Sequence, residues 1–178
     1  QSLINASQYG AAASHPALGA ADYKLALHLP GGRSVYTFCM CPGGTVVAAA
    51  SEPDSVVTNG MSYYARDGVN ANSALLVGVG PEDFGSEHPL AGMFLQREIE
   101  RRAFVLGGRS GKAPCQTVGD LLSGRASGKL GVVEPSYKPG VVPCDLAELL
   151  PAPLIGAMRA ALPLLGRRLR GFDLPDAV

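Results

Sequence analysis

Two stretches of this 178-residue chain concentrate side chains able to do chemistry. The first is Cys39-Met40-Cys41-Pro42-Gly43-Gly44. On an extended segment a C-x-C pair puts both thiols on one face. Such a pair coordinates a soft metal, exchanges disulfides, or packs as small inert hydrophobes, the ordinary fate of cysteine. Zinc needs two further ligands, and Cys115 and Cys144 stand apart with no second cysteine at close spacing, so no metal is expected. Redox work needs a cation or helix N-terminus that lowers a thiol pKa. Cys39 and Cys41 are therefore candidate catalytic thiols beside a packing alternative. The second stretch runs from Asn59-Gly60-Met61-Ser62-Tyr63-Tyr64-Ala65-Arg66-Asp67-Gly68 on to Asn72. Arg66 is suited to hold an anionic group through two hydrogen bonds, and Asn59, Ser62, Asn70 and Asn72 to orient it. Ser62, Arg66, Asp67, Asn70 and Asn72 form the candidate substrate-binding set, with Arg66 also a catalytic candidate. The plainer alternative is an Asn-Gly turn followed by a solvated Arg66–Asp67 loop.

Other motifs fall short. Gly78-Val79-Gly80-Pro81 opens like a dinucleotide fingerprint, but Glu82-Asp83-Phe84 supplies no third glycine and no amphipathic helix. Gly111-Lys112-Ala113 lacks the leading glycine and the Ser or Thr of a phosphate loop. His15, His28 and His88 are scattered, and Arg167, Arg168 and Arg170 read as a solvated helix end favoured by the dipole. Fifteen basic and fifteen acidic residues give a net charge of +0, which leaves no basic field for a nucleic acid. No apolar run approaches a membrane span. Four cysteines in a chain of this length point to a reducing, cytoplasmic setting rather than a disulfide scaffold. Gln1 is not an initiating residue, which leads us to expect a processed chain or a segment of a longer one.

The elements that must position these residues are short, as 23 glycines and 14 prolines demand. Ser2–Tyr9 reads as a helix stopped at Gly10. Strands are expected over Tyr23–Leu29, Val35–Met40, Thr45–Ala50, Val56–Thr58 and Ala74–Val79, joined by turns rich in Gly, Pro and Asn. From Pro81 the texture changes. Leu95, Ile99, Ala103 and Leu106 lie on one face of a helix over Pro89–Leu106. Val118, Leu121 and Leu122 suggest a short helix closed by Gly124. Ala126–Pro143 should be irregular, Asp145 and Glu148 resemble a capping box, and Leu154, Ile155, Met158, Leu162 and Leu165 form an apolar stripe, expected to kink at Pro163. Strands first and helices second indicate an α+β fold. The expected form is a small antiparallel sheet or barrel in residues 1–85, followed by a helical lobe in residues 86–178.

The run Thr37–Val79, TFCMCPGGTVVAAASEPDSVVTNGMSYYARDGVNANSALLVGV, resembles a family of uncharacterised FAD-dependent dehydrogenases, the NAD(P)/FAD-dependent oxidoreductases. The likeness extends to Gln1-Ser2-Leu3-Ile4, Leu18–Tyr23, Ala113-Pro114-Cys115-Gln116, Val118-Gly119-Asp120, Pro135-Ser136-Tyr137, Asp145–Pro151 and Gly171–Ala177. It implies a flavoprotein whose Rossmann-type FAD-binding halves lie before and after this segment. The segment would then be a middle, substrate-side region that partners those halves and holds no FAD alone. NAD(P) is the implied partner nucleotide, and the substrate an unspecified small molecule. Loop chemistry then nominates Cys41, Pro42, Gly43, Gly44, Asn59, Gly60 and Met61 as the cofactor-facing set. The alternatives are a thiol-redox or metal-binding module on Cys39 and Cys41, or a protein-interaction domain.

Overall fold

The alternation of Leu25 and Leu27 with polar or small neighbours, and of Val35 and Thr37 with Tyr36 and Phe38, specifies strands with one face inward. The computed structural model, which describes residues 2–19, 21 and 24–178, places them together. Tyr23, expected to open the first strand, falls outside the described residues, as do Gln1, Ala20 and Asp22. Helix α1 (Ser2–Tyr9) ends before Gly10, whose φ of 56° suits a residue without Cβ. Strands β1 (Ala26–His28), β2 (Ser34–Cys41) and β5 (Asn72–Val77) form an antiparallel sheet in the order β1-β2-β5. Strands β3 (Gly44–Ala48) and β4 (Thr58–Ser62) form a second antiparallel pair. The fold is α+β, and among the described residues the sheets stay open without closing a barrel.

One strand differs from expectation. Val56 and Val57 precede β4 instead of forming it, and Asn59-Gly60 is paired strand, opposite Val47 and Val46, instead of a turn. The reason is burial. Val56 sinks into a cluster with Ala103 and Leu149, and its N–H donates to the Glu100 carbonyl at 3.1 Å. The polar residues after it are left to make the ladder.

In the second half, α2 (Pro81–Phe84) and α3 (Ala91–Leu106) lead to β6 (Ala113–Cys115) and α4 (Val118–Ser123). Helix α4 is capped by Thr117, whose hydroxyl accepts from the Asp120 N–H at 3.3 Å, and ends at left-handed Gly124. Strand β7 (Val141–Pro143) lies in the stretch expected to be irregular and pairs in parallel with β6. Each of these two strands contains a proline, which restricts them to a short pair. Asp145 does cap, accepting from the Ala147 N–H at 2.9 Å, but it heads only a 3-10 turn. The long helix α5 starts later and spans Ala152–Arg168. Its residues Ala157, Ala161 and Leu165, four apart on one face, pack against Leu25, Leu27 and Val35 of the first sheet. A second cluster joins α3 and β6 to Val56, with Val46 of β3 packed against it.

Candidate functional site

The two chemistry-bearing stretches meet. Gly44 opposes Ser62 and Thr45 opposes Met61 across β3 and β4, while Cys41 opposes Asn72 across β2 and β5. The Gly44 N–H donates to the Asn70 carbonyl at 3.0 Å, the Gly68 N–H to the Gly43 carbonyl at 3.2 Å, and the Ser62 hydroxyl to the Pro42 carbonyl at 3.2 Å. Pro42–Gly44 is thus clasped by the Ser62–Asn70 connection. The clasp is braced from the second half of the chain: Asn70 Nδ2 donates to the Glu134 carbonyl at 2.8 Å, and Ser136 Oγ accepts from the Val46 N–H at 2.9 Å. Sequence reasoning left Glu134–Ser136 out of the site. The family likeness at Pro135-Ser136-Tyr137 was its only signal.

The cysteine strand carries a β-bulge. Pairing with β5 slips between Phe38 and Cys41, Cys39 sits at φ 48°, and burial passes from Val35 and Thr37 to Met40. This one-residue shift of phase turns Cys39 outward with Cys41 half-buried behind it, as bulges near functional sites re-aim side chains. Cys41 Sγ donates to the Cys39 carbonyl at 3.2 Å. Burial, and then the neighbouring Cys39, push the Cys41 thiol up, against opposing pulls from the Ser62 hydroxyl and the Arg66 charge. A thiol so shifted is protonated at neutral pH and is no primed nucleophile. Cys115 is pushed up to about 11, chiefly by burial; it lies in β6, in a different sheet from Cys41, and its carbonyl accepts from the N–H of Cys144, just past β7, at 2.9 Å. Among the described residues no group of three His, Cys, Asp or Glu converges to hold a metal.

The glycines have a use within the chain. A Cβ on Gly43 would strike the Arg66 carbonyl, one on Gly44 the Met61 carbonyl, and one on Gly60 the carboxamide of Asn72. Backbone carbonyls at Gly43 and Gly44, and a side chain at Gly60, fill the room left by the missing side chains. What remains open is a cleft of about 110 Å³ where Cys39, Val46, Asn59, Gly60, Asn72 and Ala74 meet. Asn72 lines it, while both polar atoms of its carboxamide are buried and find no hydrogen-bond partner among the described residues. Arg66, which is not among the residues that line the cleft, is exposed on the Ser62–Asn70 connection at φ 51°, a left-handed conformation unusual for a residue with a side chain.

A cleft this small does not fit a dinucleotide, which fills several hundred Å³. The Gly78–Phe84 segment does not supply the missing phosphate site. Asp83 at the third position of α2 accepts from the Gly80 N–H at 3.0 Å, occupying the place of an anion. Its two oxygens pair with Arg33 at 2.8 Å each, and that ion pair holds the Asp83 carboxyl below the usual carboxylate range.

Because neither polar atom of Asn72 is satisfied, Asn72→Leu is expected to raise stability by about 1 kcal/mol, the cost of a buried orphan amide. For a chain of this length that is a rise in melting temperature of about 3 °C. A fall on calorimetry would mean that the amide does find a partner in solution.

The family described as "FAD-dependent protein, C-terminal domain-like" matches residues 1–178. A relative in Clostridium beijerinckii (strain ATCC 51743 / NCIMB 8052), described as an uncharacterized protein, is 50% identical over 179 residues, covering 100% of this chain and 34% of its own length. The chain thus spans about a third of that relative.

Proposed function

The chain belongs to the FAD-dependent protein, C-terminal domain-like family, and from that premise we propose that it is the substrate-side, capping region of a flavin-dependent oxidoreductase of the dehydrogenase type. In this reading the dinucleotide-binding fold is supplied by the rest of a longer polypeptide. FAD carries the hydride chemistry when bound there. Residues 1–85 and 86–178 act together as one inserted unit, and this segment has no turnover by itself. A cytoplasmic setting accords with four free cysteines. NAD(P) as partner nucleotide enters only through the family resemblance.

The observation that carries the reading is the clasp between Pro42–Gly44 and Ser62–Asn70, which holds the Arg66 loop against the glycine turn, next in the chain to the cleft-lining residues Asn59 and Asn72. Arg66 on this exposed loop is suited to offer a planar pair of donors to an acidic substrate group. The rival reading, a thiol-redox module, requires an activated cysteine, and the raised pKa of Cys41 opposes it.

Arg66→Ala in the full-length parent tests the assignment. Loss of a bidentate charged contact is expected to weaken substrate binding by about tenfold or more, with flavin content unchanged. The check is substrate-dependent flavin bleaching followed by absorbance. Unaltered affinity would remove Arg66 from the site.

A further inference from the structure

The first sheet carries apolar residues on both faces, with the hydrogen-bonded pair His28–Ser34 at one end of the outer face and Thr37 buried on the inner one. Its inner face, Leu25, Leu27, Val35, Leu75 and Val77, packs on α5. Its outer face is Ala26, Tyr36, Leu76, Ala74 and Phe38. Ala26 opposes Tyr36, Tyr36 opposes Leu76, and Phe38 opposes Ala74, so the five make a contiguous, uncharged surface. Phe38 is 56% exposed and Leu76 40%. An antiparallel sheet with one face in water alternates apolar with polar residues, whereas a strand covered on both sides reads as a continuous apolar run. Ala74-Leu75-Leu76-Val77 of β5 is of the second kind, and Tyr36 and Phe38 of β2 extend its outer face.

We infer that this outer face is covered in the intact protein by the part of the polypeptide that lies outside this chain. The inference rests on the reading of the chain as one region of a longer flavoprotein. Two observations choose this occupant. The matching relative has about two thirds of its length beyond the region aligned here, a mass ample to cover one small sheet. The outer face also runs directly into the candidate cleft, since Ala74 belongs to both. A covering domain seated on Phe38 and Leu76 therefore ends at the cleft mouth, beside Cys39 and Asn59. A flavin held by the covering domain would have to reach any substrate in the cleft from that side. Burying the face also hides an apolar patch that a stable monomer rarely leaves in water.

Hydroxyl-radical footprinting of the flavin-loaded, full-length wild-type parent tests this without any substitution. Oxidation of Phe38 and Tyr36 in the native protein is compared with that in urea. The expected result is at least about a tenfold slowing at both, as for groups reached only through local opening, and the slowing is unchanged on dilution. Phe38 oxidising at close to its unfolded rate overturns the inference. Protection that fades on dilution also overturns it, because a second copy is then the cover. Leu76→Lys in the parent adds an independent readout: a charge forced into a covered face should increase oxidation of Phe38, and an unchanged rate counts against coverage. A parent that retains flavin yet leaves Phe38 open defeats this inference alone. A parent that binds no flavin defeats the reading beneath it.

Discussion

Gly43→Ala is expected to cost about 3 kcal/mol of stability, a value reached only by substitutions that break a specific backbone or core feature. Two effects combine. Gly43 sits at φ 59°, where an L side chain is strained by about 1 kcal/mol. Its Cβ would also meet the carbonyl of Arg66 and lie 2.8 Å from the Asp67 nitrogen, both backbone atoms that cannot swing aside as a side chain would. The Arg66 loop must therefore move away from the Pro42–Gly44 turn, taking the bond from the Gly68 N–H to the Gly43 carbonyl with it. Gly32→Ala isolates the first effect: φ is 82° there, and nothing lies within 4 Å of the added Cβ. It should cost about 1 kcal/mol. Urea unfolding of both variants gives the difference, which measures how firmly the clasp is closed. Equal losses would mean that the two loops are not held together.

What the amino-acid pattern revealed, and what it hid, divides along the range of the interactions. Helices α3 and α4 were legible because their signals are local: the i, i+4 row through Leu95, Ile99 and Ala103, and the left-handed glycine after Ser123. The α+β order was legible for the same reason. The bulge at Cys39 was not. Strict alternation continues from Val35 and Thr37 to Cys39, and the change of phase to Met40 comes from pairing with β5, a partner distant in sequence. Strand β7 was hidden because its partner β6 lies across a proline-rich connection. The Arg33–Asp83 pair joins residues fifty apart, and neither residue announces the other. In the candidate site, the two stretches could be picked out by composition, and the structure brings them together. The purpose of each glycine could not be read. The same letter stands whether the space it leaves is filled by a ligand or, as at Gly43 and Gly44, by the chain's own carbonyls.

The other large effect lies far from the cleft and bears on whether the chain behaves as one unit. Leu165 of α5 is fully buried and packs among Leu25, Leu27 and Val35, about 130 residues earlier in the sequence. Leu165→Ala removes the buried methyl groups and leaves a cavity lined by both α5 and the sheet, at a cost of about 3 kcal/mol. For a chain of this size the melting temperature should fall by roughly 9 °C. The shape of the transition carries more information than its midpoint. With the sheet of the first half resting on the last helix, weakening this contact should shift one cooperative transition for the whole chain, with sheet and helix signals moving together. If calorimetry instead resolves two transitions, and only one moves, the halves fold separately. The cleft would then depend on the 1–85 lobe alone. Under a single transition, the brace from Glu134 and Ser136 to Asn70 and Val46 is part of what keeps the candidate site shaped, and core substitutions in α5 should loosen the clasp from a distance.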